Sequence, residues 1–379
     1  MSDGVDINDR ESLEAWLKDQ PREVAVWIAS RAAARVLPVW WDAVLTKEWA
    51  RKRDLTALPV LRSVLISAVA AFVPTDDIRA AAHAAAAHAA AAYSAYSDAA
   101  YSAAHAAADA AYSAAAAAAA DDAAYSAAHA AADAAYTAAW VAVRADVGKV
   151  AEGDIPDALA LWPDGAGPLA KDWDLIKSQL SQSSDGADWQ FWVDWYDALL
   201  DGRLMLGDAG RTWEMLERIA LIDPGTWDKG PEVVNPVIRG IWELHRLRAE
   251  VAALQAEKAA FLAARASEVQ RGHNQPPEGL VDDAPEVAWQ ITIIWDGLDE
   301  AREELERDAP DKGVLRAIAE QILAALNAVV AYCGKVADAV VISAAKIGGG
   351  AVGTAVLDHV VNNGRLMQFA KDLLAFGGG

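Results

Sequence analysis

The chain has 379 residues, enough for two or three domains, and its 33 basic and 55 acidic side chains give a formal net charge of −22. This charge argues against nucleic-acid binding, because phosphate contacts require a basic surface. The only cysteine, Cys333, excludes a disulfide within the chain and fits a reducing compartment. The N-terminus is acidic and lacks the apolar stretch of a signal peptide, so we expect synthesis in the cytoplasm.

Residues 1–79 predict an N-terminal bundle of short helices. Asn8 and Glu11 have the spacing of a capping box at the start of the first helix. Pro38 is expected to interrupt the second helix, because proline lacks a backbone N–H. Residues 58–73 are nearly all apolar but short for a membrane span, which favours a buried bundle helix.

Residues 80–147 predict an alanine-rich helix or helical hairpin. Of the 61 residues from 80 to 140, 39 are alanine, the strongest helix former. The motif at residues 98–113 recurs 24 residues later, and within each copy like residues recur at an interval of 11. This interval is close to three helical turns, so like residues lie on one face. The pattern allows either one long helix or two helices that break near Asp121.

Each copy of the repeat places tyrosine, histidine and aspartate on one helical stripe. Tyrosine supplies amphipathic contact area, and Asp–His pairs four residues apart fix the register of a contact. The same pairs offer two ligands to a metal ion, but a metal site needs three or four, so we predict no metal and no cofactor. The stripe is therefore predicted to be an interaction face, formed by Tyr101, His105, Asp109, Tyr112, Tyr125, His129, Asp133 and Tyr136.

Residues 148–238 predict a tryptophan-rich helical module. Trp189, Trp192 and Trp195 recur at helical spacing next to aspartates such as Asp194. A sugar or a cationic ligand that stacks on these rings beside carboxylates is one interpretation. The favoured one is that the rings form the core of a small helical domain, because large aromatic side chains are mostly buried.

Three segments resemble parts of uncharacterised bacterial helical proteins of an alphaproteobacterial type. They are WVDWYDALLDGR from Trp192, ALIDP from Ala220 and GHNQPPE from Gly272. The resemblance covers residues 185–280. It implies a bacterial source, and it implies no activity and no catalytic residue.

Residues 239–271 predict a long helix with a short coiled-coil seam, and residues 272–285 predict a proline-containing linker. About three heptads are enough either for a weak dimer or for a hairpin within the chain. The seam consists of apolar positions three and four residues apart, interrupted by one lysine: Leu244, Leu247, Val251, Leu254, Lys258 and Phe261.

Residues 286–379 predict C-terminal helices that form a hairpin. Residues 310–379 contain six basic and five acidic side chains, so repulsion from anionic lipid is weakest here. Ala345, Gly349 and Gly353 have the small-residue spacing that lets helices pack closely in lipid. A buried hairpin is expected, and insertion into the inner membrane or binding at its surface is the alternative.

These segments predict an all-α protein of several modules. The sequence contains none of the motifs that identify a P-loop, a zinc protease or a serine hydrolase, and we predict no enzymatic activity. The predicted function is a non-enzymatic scaffold or interaction protein in the cytoplasm, which forms a homo-oligomer or binds another protein through its alanine-rich and coiled-coil helices. The alternative is a membrane-acting effector whose C-terminal glycine-rich segment perturbs a bilayer.

Overall fold

The structure is a computed structural model that describes residues 7–93, 99–115, 120–134, 139–153, 155–165, 167–182, 188–271, 285–343 and 364–378. Within these residues the regular secondary structure consists of sixteen α-helices, which confirms the predicted all-α class. The chain divides into two compact units, Met1–Trp242 and Glu243–Gly379.

Thirteen helices begin in the first unit: α1 Arg10–Lys18, α2 Arg22–Thr46, α3 Glu48–Arg51, α4 Leu58–Phe72, α5 Asp76–Tyr93, α6 Ala99–Ala115, α7 Ala120–Ala134, α8 Ala139–Ala151, α9 Ala170–Gln182, α10 Gln190–Asp201, α11 Ala209–Ala220, α12 Pro224–Trp227 and α13 Pro231–Arg271. Three more follow in the second unit: α14 Pro285–Leu305, α15 Lys312–Ser343 and α16 Arg365–Gly378. The boundary between the units falls within α13.

Helix α2 lies at the centre of the first unit, in contact with α4, α6, α7, α8 and α9. Every residue from Val24 to Pro38 is buried, because the helix is largely apolar on all sides. The predicted interruption at Pro38 is wrong, since α2 continues to Thr46. Pro38 removes one backbone hydrogen bond, but Trp40 and Trp41 bury the following turn in the same core.

In the described part of the alanine-rich segment lie α5, α6, α7 and the start of α8, and the alternative of one continuous helix is wrong because α6 packs against α7. The described residues of the two copies of the repeat, 99–113 and 122–134, lie on α6 and α7, which both also pack against α2. Ser113 Oγ donates a hydrogen bond to the carbonyl of Ala123 at 3.1 Å. Alanine side chains lose no rotamer entropy when they fill such a contact. The buried ones on α6 and α7 are Ala103, Ala104, Ala106, Ala107, Ala108, Ala110, Ala111, Ala114, Ala123, Ala127, Ala128 and Ala130.

The second unit has one core, shared by α13, α14, α15 and α16. Four residues of the predicted coiled-coil seam, from Leu244 to Leu254, are buried in it and so contact their own chain. Lys258, the charged residue of the seam, donates to Asp299 Oδ2 at 3.0 Å. Close packing of α14 on α15 requires a glycine at position 297, because a Cβ atom there would lie 2.8 Å from Ile322 Cγ1.

One helical stretch of the described residues, Lys312–Ala331 in α15, is long and apolar enough to cross a membrane. The core helix of a soluble bundle has the same property, and one face of α15, which includes Ile322, is buried in the second unit. The residues of the predicted membrane-packing motif, Ala345, Gly349 and Gly353, lie outside the described residues. Their role in a bilayer stays a prediction.

Candidate functional site

The first half of the predicted interaction face lies on α6. The rings of Tyr101 and His105 stack with centroids 5.6 Å apart, and His105 Nδ1 lies 3.1 Å from Asp109 Oδ2. All three side chains are half-buried, whereas Tyr112 is 39% exposed. The spacing predicted from the repeat therefore places these side chains on one stripe of the helix.

The second half of the face lies on α7. The rings of Tyr125 and His129 lie 4.3 Å apart, and Tyr125 is 52% exposed. His129 Nε2 lies 3.1 Å from Nη1 of Arg10 on α1. Asp133 belongs to α7, but its side chain is outside the described part of the chain, as is the whole of Tyr136.

The packing of α6 on α7 brings the two exposed tyrosines to the same end of the helix pair. Ser113, next to Tyr112, bonds the carbonyl of Ala123, which lies two residues before Tyr125. Among the side chains that the structure describes, no group of three or more His, Cys, Asp or Glu residues is arranged to hold a metal ion. The described side chains of this face include two exposed aromatic rings with hydroxyl groups, those of Tyr112 and Tyr125.

A buried charged centre, which sequence reasoning missed, lies at the middle of α2. Nε and Nη2 of Arg31 each donate to Asp146 of α8 at 3.0 Å, and Nη2 of Arg35 donates to the same carboxylate at 2.6 Å. The side chains of Arg35 and Asp146 are 0% and 3% exposed. Burial lowers the pKa of Arg35, and the carboxylate of Asp146 opposes that change. The available signal was two arginines four residues apart in an otherwise apolar helix.

The same two arginines hold the loop that precedes α9. Arg31 donates to the carbonyls of Leu159 and Ala160 at 2.8 and 2.7 Å, and Arg35 donates to that of Leu161 at 2.9 Å. Three consecutive carbonyls thus receive their hydrogen bonds from buried guanidinium groups. Hydrogen bonds within the chain engage every side-chain nitrogen of the two arginines except Nη1 of Arg35, which has no hydrogen-bond partner among the described residues. We therefore assign the two arginines a structural role.

Two voids adjoin this loop. One is a small cavity of about 60 Å³, walled mainly by apolar and aromatic side chains such as Trp27, Phe72 and Trp213. The other is an open groove of about 560 Å³ with a charged lining that includes Asp174, Lys177, Asp197, Asp201 and Arg203. In the groove, Asp197 Oδ1 accepts hydrogen bonds from Trp173 Nε1 and Lys177 Nζ, at 2.7 and 3.4 Å. The Asp197 carboxylate is thus engaged within the chain.

The tryptophans of α10 belong to the core, which supports the favoured interpretation of their spacing. Trp192 and Trp195 are buried, and Trp192 Nε1 donates to Asn235 Oδ1 at 3.0 Å. Their faces are therefore closed to a stacked sugar. Burial raises the pKa of the neighbouring Asp194, and the Asp197 carboxylate adds to the rise.

A third buried cation, Arg62 of α4, is 1% exposed and lies over the Trp227 ring at 4.9 Å. Its Nη1 lies 3.2 Å from His88 Nδ1, and His88 Nε2 lies 3.4 Å from Asp228 Oδ1. Burial lowers the pKa of Arg62 to about 10, against the opposing effect of Asp228. Nε and Nη2 of Arg62 have no hydrogen-bond partner within the described residues.

Comparison of the chain with protein-family models, with curated proteins and with solved structures finds no match. The resemblance to uncharacterised bacterial proteins stays a prediction. A proposal for function therefore depends on the geometry of the chain itself.

Proposed function

We propose that the protein is a non-enzymatic helical scaffold that self-associates through the tyrosine face, defined as Tyr112 and Tyr125 at the shared end of α6 and α7. The observation that carries the proposal is their exposure, 39% and 52%, on a helix pair that has twelve alanines buried inside the unit. Tyrosine is enriched in protein interfaces, because it offers a large apolar ring together with a hydroxyl group.

This proposal is narrower than the expectation from the sequence. The alanine side chains that would let helices approach closely are already used in contacts among α2, α6 and α7. The seam residues from Leu244 to Leu254 are likewise buried within the second unit. Of the described side chains of the predicted interaction face, Tyr112 and Tyr125 are the exposed ones, and we propose these two for the contact.

A second copy of the chain is the partner that this face fits. In a two-fold symmetric dimer the same side chains meet each other, so they must be self-complementary. A tyrosine hydroxyl meets this condition, since it both donates and accepts a hydrogen bond.

Light scattering coupled to size-exclusion chromatography tests the proposal. We expect the full chain to form a dimer and the Tyr112→Ala/Tyr125→Ala variant to be a monomer at the same concentration. The matched control is Leu175→Ala/Leu221→Ala, which removes two exposed apolar side chains elsewhere in the first unit and should leave the dimer intact. A dimer that survives loss of both tyrosines would contradict the proposal, as would a control that is equally monomeric.

Membrane action is the second candidate, supported by the apolar stretch Lys312–Ala331. It requires the buried face of α15 to leave the core of the second unit and to contact lipid in place of α13, α14 and α16. Dye release from anionic liposomes by the full chain tests it. Release would favour the membrane-acting function, and intact liposomes together with a dimer would favour the scaffold.

A further inference from the structure

We infer that the contact between Arg10 and His129 is an acid-sensitive latch that holds α1 on α7. Arg10 Nη1 lies 3.1 Å from His129 Nε2. A guanidinium group only donates hydrogen bonds, so the nitrogen that faces it must carry a lone pair. In this contact Nε2 is therefore the acceptor, which places the ring proton on Nδ1. Protonation would place an N–H on Nε2, and a hydrogen bond between donor and acceptor would become a contact between two donors of like charge.

The charged groups that the structure describes around His129 lie on the helices packed against α7. Arg10 also bonds Glu11 Oε1 through Nη2 at 3.0 Å, which directs Nη1 towards the imidazole. On α7 the ring neighbour of His129 is Tyr125, and the side chain of Asp133 lies outside the described residues. The other helices that pack on α7 supply charged groups with bonds of their own: Asp109 with His105, Arg22 with the Ala114 carbonyl, and Asp146 with Arg31 and Arg35.

His105 occupies the same position in the first copy of the repeat and provides an internal comparison. Its Nδ1 lies 3.1 Å from Asp109 Oδ2, and a carboxylate accepts a hydrogen bond only from an imidazole nitrogen that carries a proton. Protonation of His105 therefore favours its contact, whereas protonation of His129 removes one. His88 also faces an arginine, but its other nitrogen lies beside Asp228, which partly compensates a positive charge.

Release of the latch loosens α1 and does not detach it. Leu13 and Leu17 remain buried in the core of the first unit, and Trp140 Nε1 donates to the carbonyl of Asn8 at 3.2 Å. The expected effect is therefore an increase in local opening of α1 on acidification, with the rest of the unit folded. This inference shares one residue with the proposed function, because Tyr125 of the tyrosine face is the ring neighbour of His129 at 4.3 Å.

Hydrogen–deuterium exchange of the full chain at about pH 7.5 and about pH 5.5 tests the latch. After correction for the intrinsic pH dependence of exchange, we expect the protection of α1 amides to fall about tenfold at the lower pH. Amides of α14, in the other unit, should keep their protection. Equal protection of α1 at both pH values would overturn the inference.

Two matched variants separate the latch from general acid effects. His129→Gln retains an acceptor near the position of Nε2 and has no titratable ring, so the α1 response should disappear. His105→Gln changes the equivalent position of the repeat and should keep the response of the original chain. A His129→Gln variant that still loses α1 protection at low pH would overturn the inference.

Should that variant fail to fold, nitrogen NMR of the unsubstituted chain decides: a neutral His129 with its proton on Nε2 would contradict the latch. Exchange measured at a concentration where the chain is a monomer separates the response from dimer formation: a response that persists supports the latch, and one that disappears overturns it.

Discussion

Arg35 and Asp146 form an ion pair with a 2.6 Å hydrogen bond, in which the arginine side chain is 0% exposed. Arg31 binds the same carboxylate, so one buried carboxylate pairs with two buried guanidinium groups. The two arginines also donate to the carbonyls of the loop before α9, and the pair thereby joins α2, α8 and this loop. Removal of one partner from such a buried ion pair is strongly destabilising, because the other charge is left buried without its counter-charge.

The first prediction is that Asp146→Asn destabilises the first unit by about 3–5 kcal/mol, because it leaves two buried guanidinium groups without their counter-charge. Urea unfolding followed by tryptophan fluorescence measures this, since 14 of the 16 tryptophans precede residue 243. The control is Glu48→Gln, whose pair with Lys52 is 73% and 71% exposed and should contribute less than about 1 kcal/mol. A cost below about 1 kcal/mol for Asp146→Asn would show that the buried centre is not essential to the fold.

The second prediction contrasts two buried arginines. Arg62→Met should be neutral or stabilising by up to about 2 kcal/mol, because it removes a buried charge and two N–H groups without partners. The lowered pKa of about 10 leads to the same expectation. The folded state binds this proton less tightly than the unfolded chain does, so the charge of Arg62 lowers the free energy of unfolding at neutral pH. Arg31→Met should instead destabilise, since it leaves the carbonyls of Leu159 and Ala160 unpaired. Equal losses for the two variants, measured by the same unfolding experiment, would contradict this distinction.

The third prediction concerns Gly202, which ends α10 with φ of 63°. A methyl group on this residue would overlap the backbone nitrogen of Ala160, so Gly202→Ala should force the loop before α9 to move. Gly207 has a similar φ of 71° with open space around it, and Gly207→Ala should cost only the conformational strain, about 1 kcal/mol. Thermal unfolding of both variants compares them, and a Gly202→Ala variant as stable as Gly207→Ala would refute the close approach of the loop.

The fourth prediction is a pH dependence at Asp194. Its raised pKa means that the folded state binds the proton more tightly than the unfolded chain. The resulting stability is present below the ordinary carboxyl pKa of about 4 and is lost as the pH rises through the folded-state pKa. Asp194→Asn retains an acceptor for Gln190 Nε2 and should therefore raise the urea midpoint at about pH 7 but not at about pH 4. The control is Asp174→Asn, at an exposed ion pair, which should change the midpoint little at either pH. A lower midpoint for Asp194→Asn at neutral pH would contradict the assigned sign.

Helical periodicity and alanine content were sufficient to predict the all-α class, because both act within a single helix. They were insufficient where tertiary contacts determine whether a helix continues. Pro38 satisfies a local rule for helix interruption, yet the burial of Trp40 and Trp41 carries α2 through it. At the first helix, Asp9 provides the cap in place of Asn8, since its carboxylate accepts from the Ser12 backbone N–H at 2.8 Å.

In the candidate site, too, features set within one helix could be predicted and features set by tertiary packing could not. The repeat correctly placed Tyr101, His105 and Asp109 on one stripe, because their spacing is a property of the helix. The different partners of His105 and His129 could not be predicted, since they depend on which helix packs against each copy. The buried acid of the charged centre, Asp146, lies over 100 residues from its two arginines, and pairs at that separation leave no periodic signal.

The measurement that tests the proposed function most directly is the molar mass of the full chain by light scattering over a range of concentrations, with and without added salt. We expect a dimer that dissociates on dilution and strengthens with salt, because screening weakens the repulsion between two chains of net charge −22. The Tyr112→Ala/Tyr125→Ala variant should remain a monomer throughout. A full chain that is monomeric at every concentration and salt level would contradict self-association through the tyrosine face.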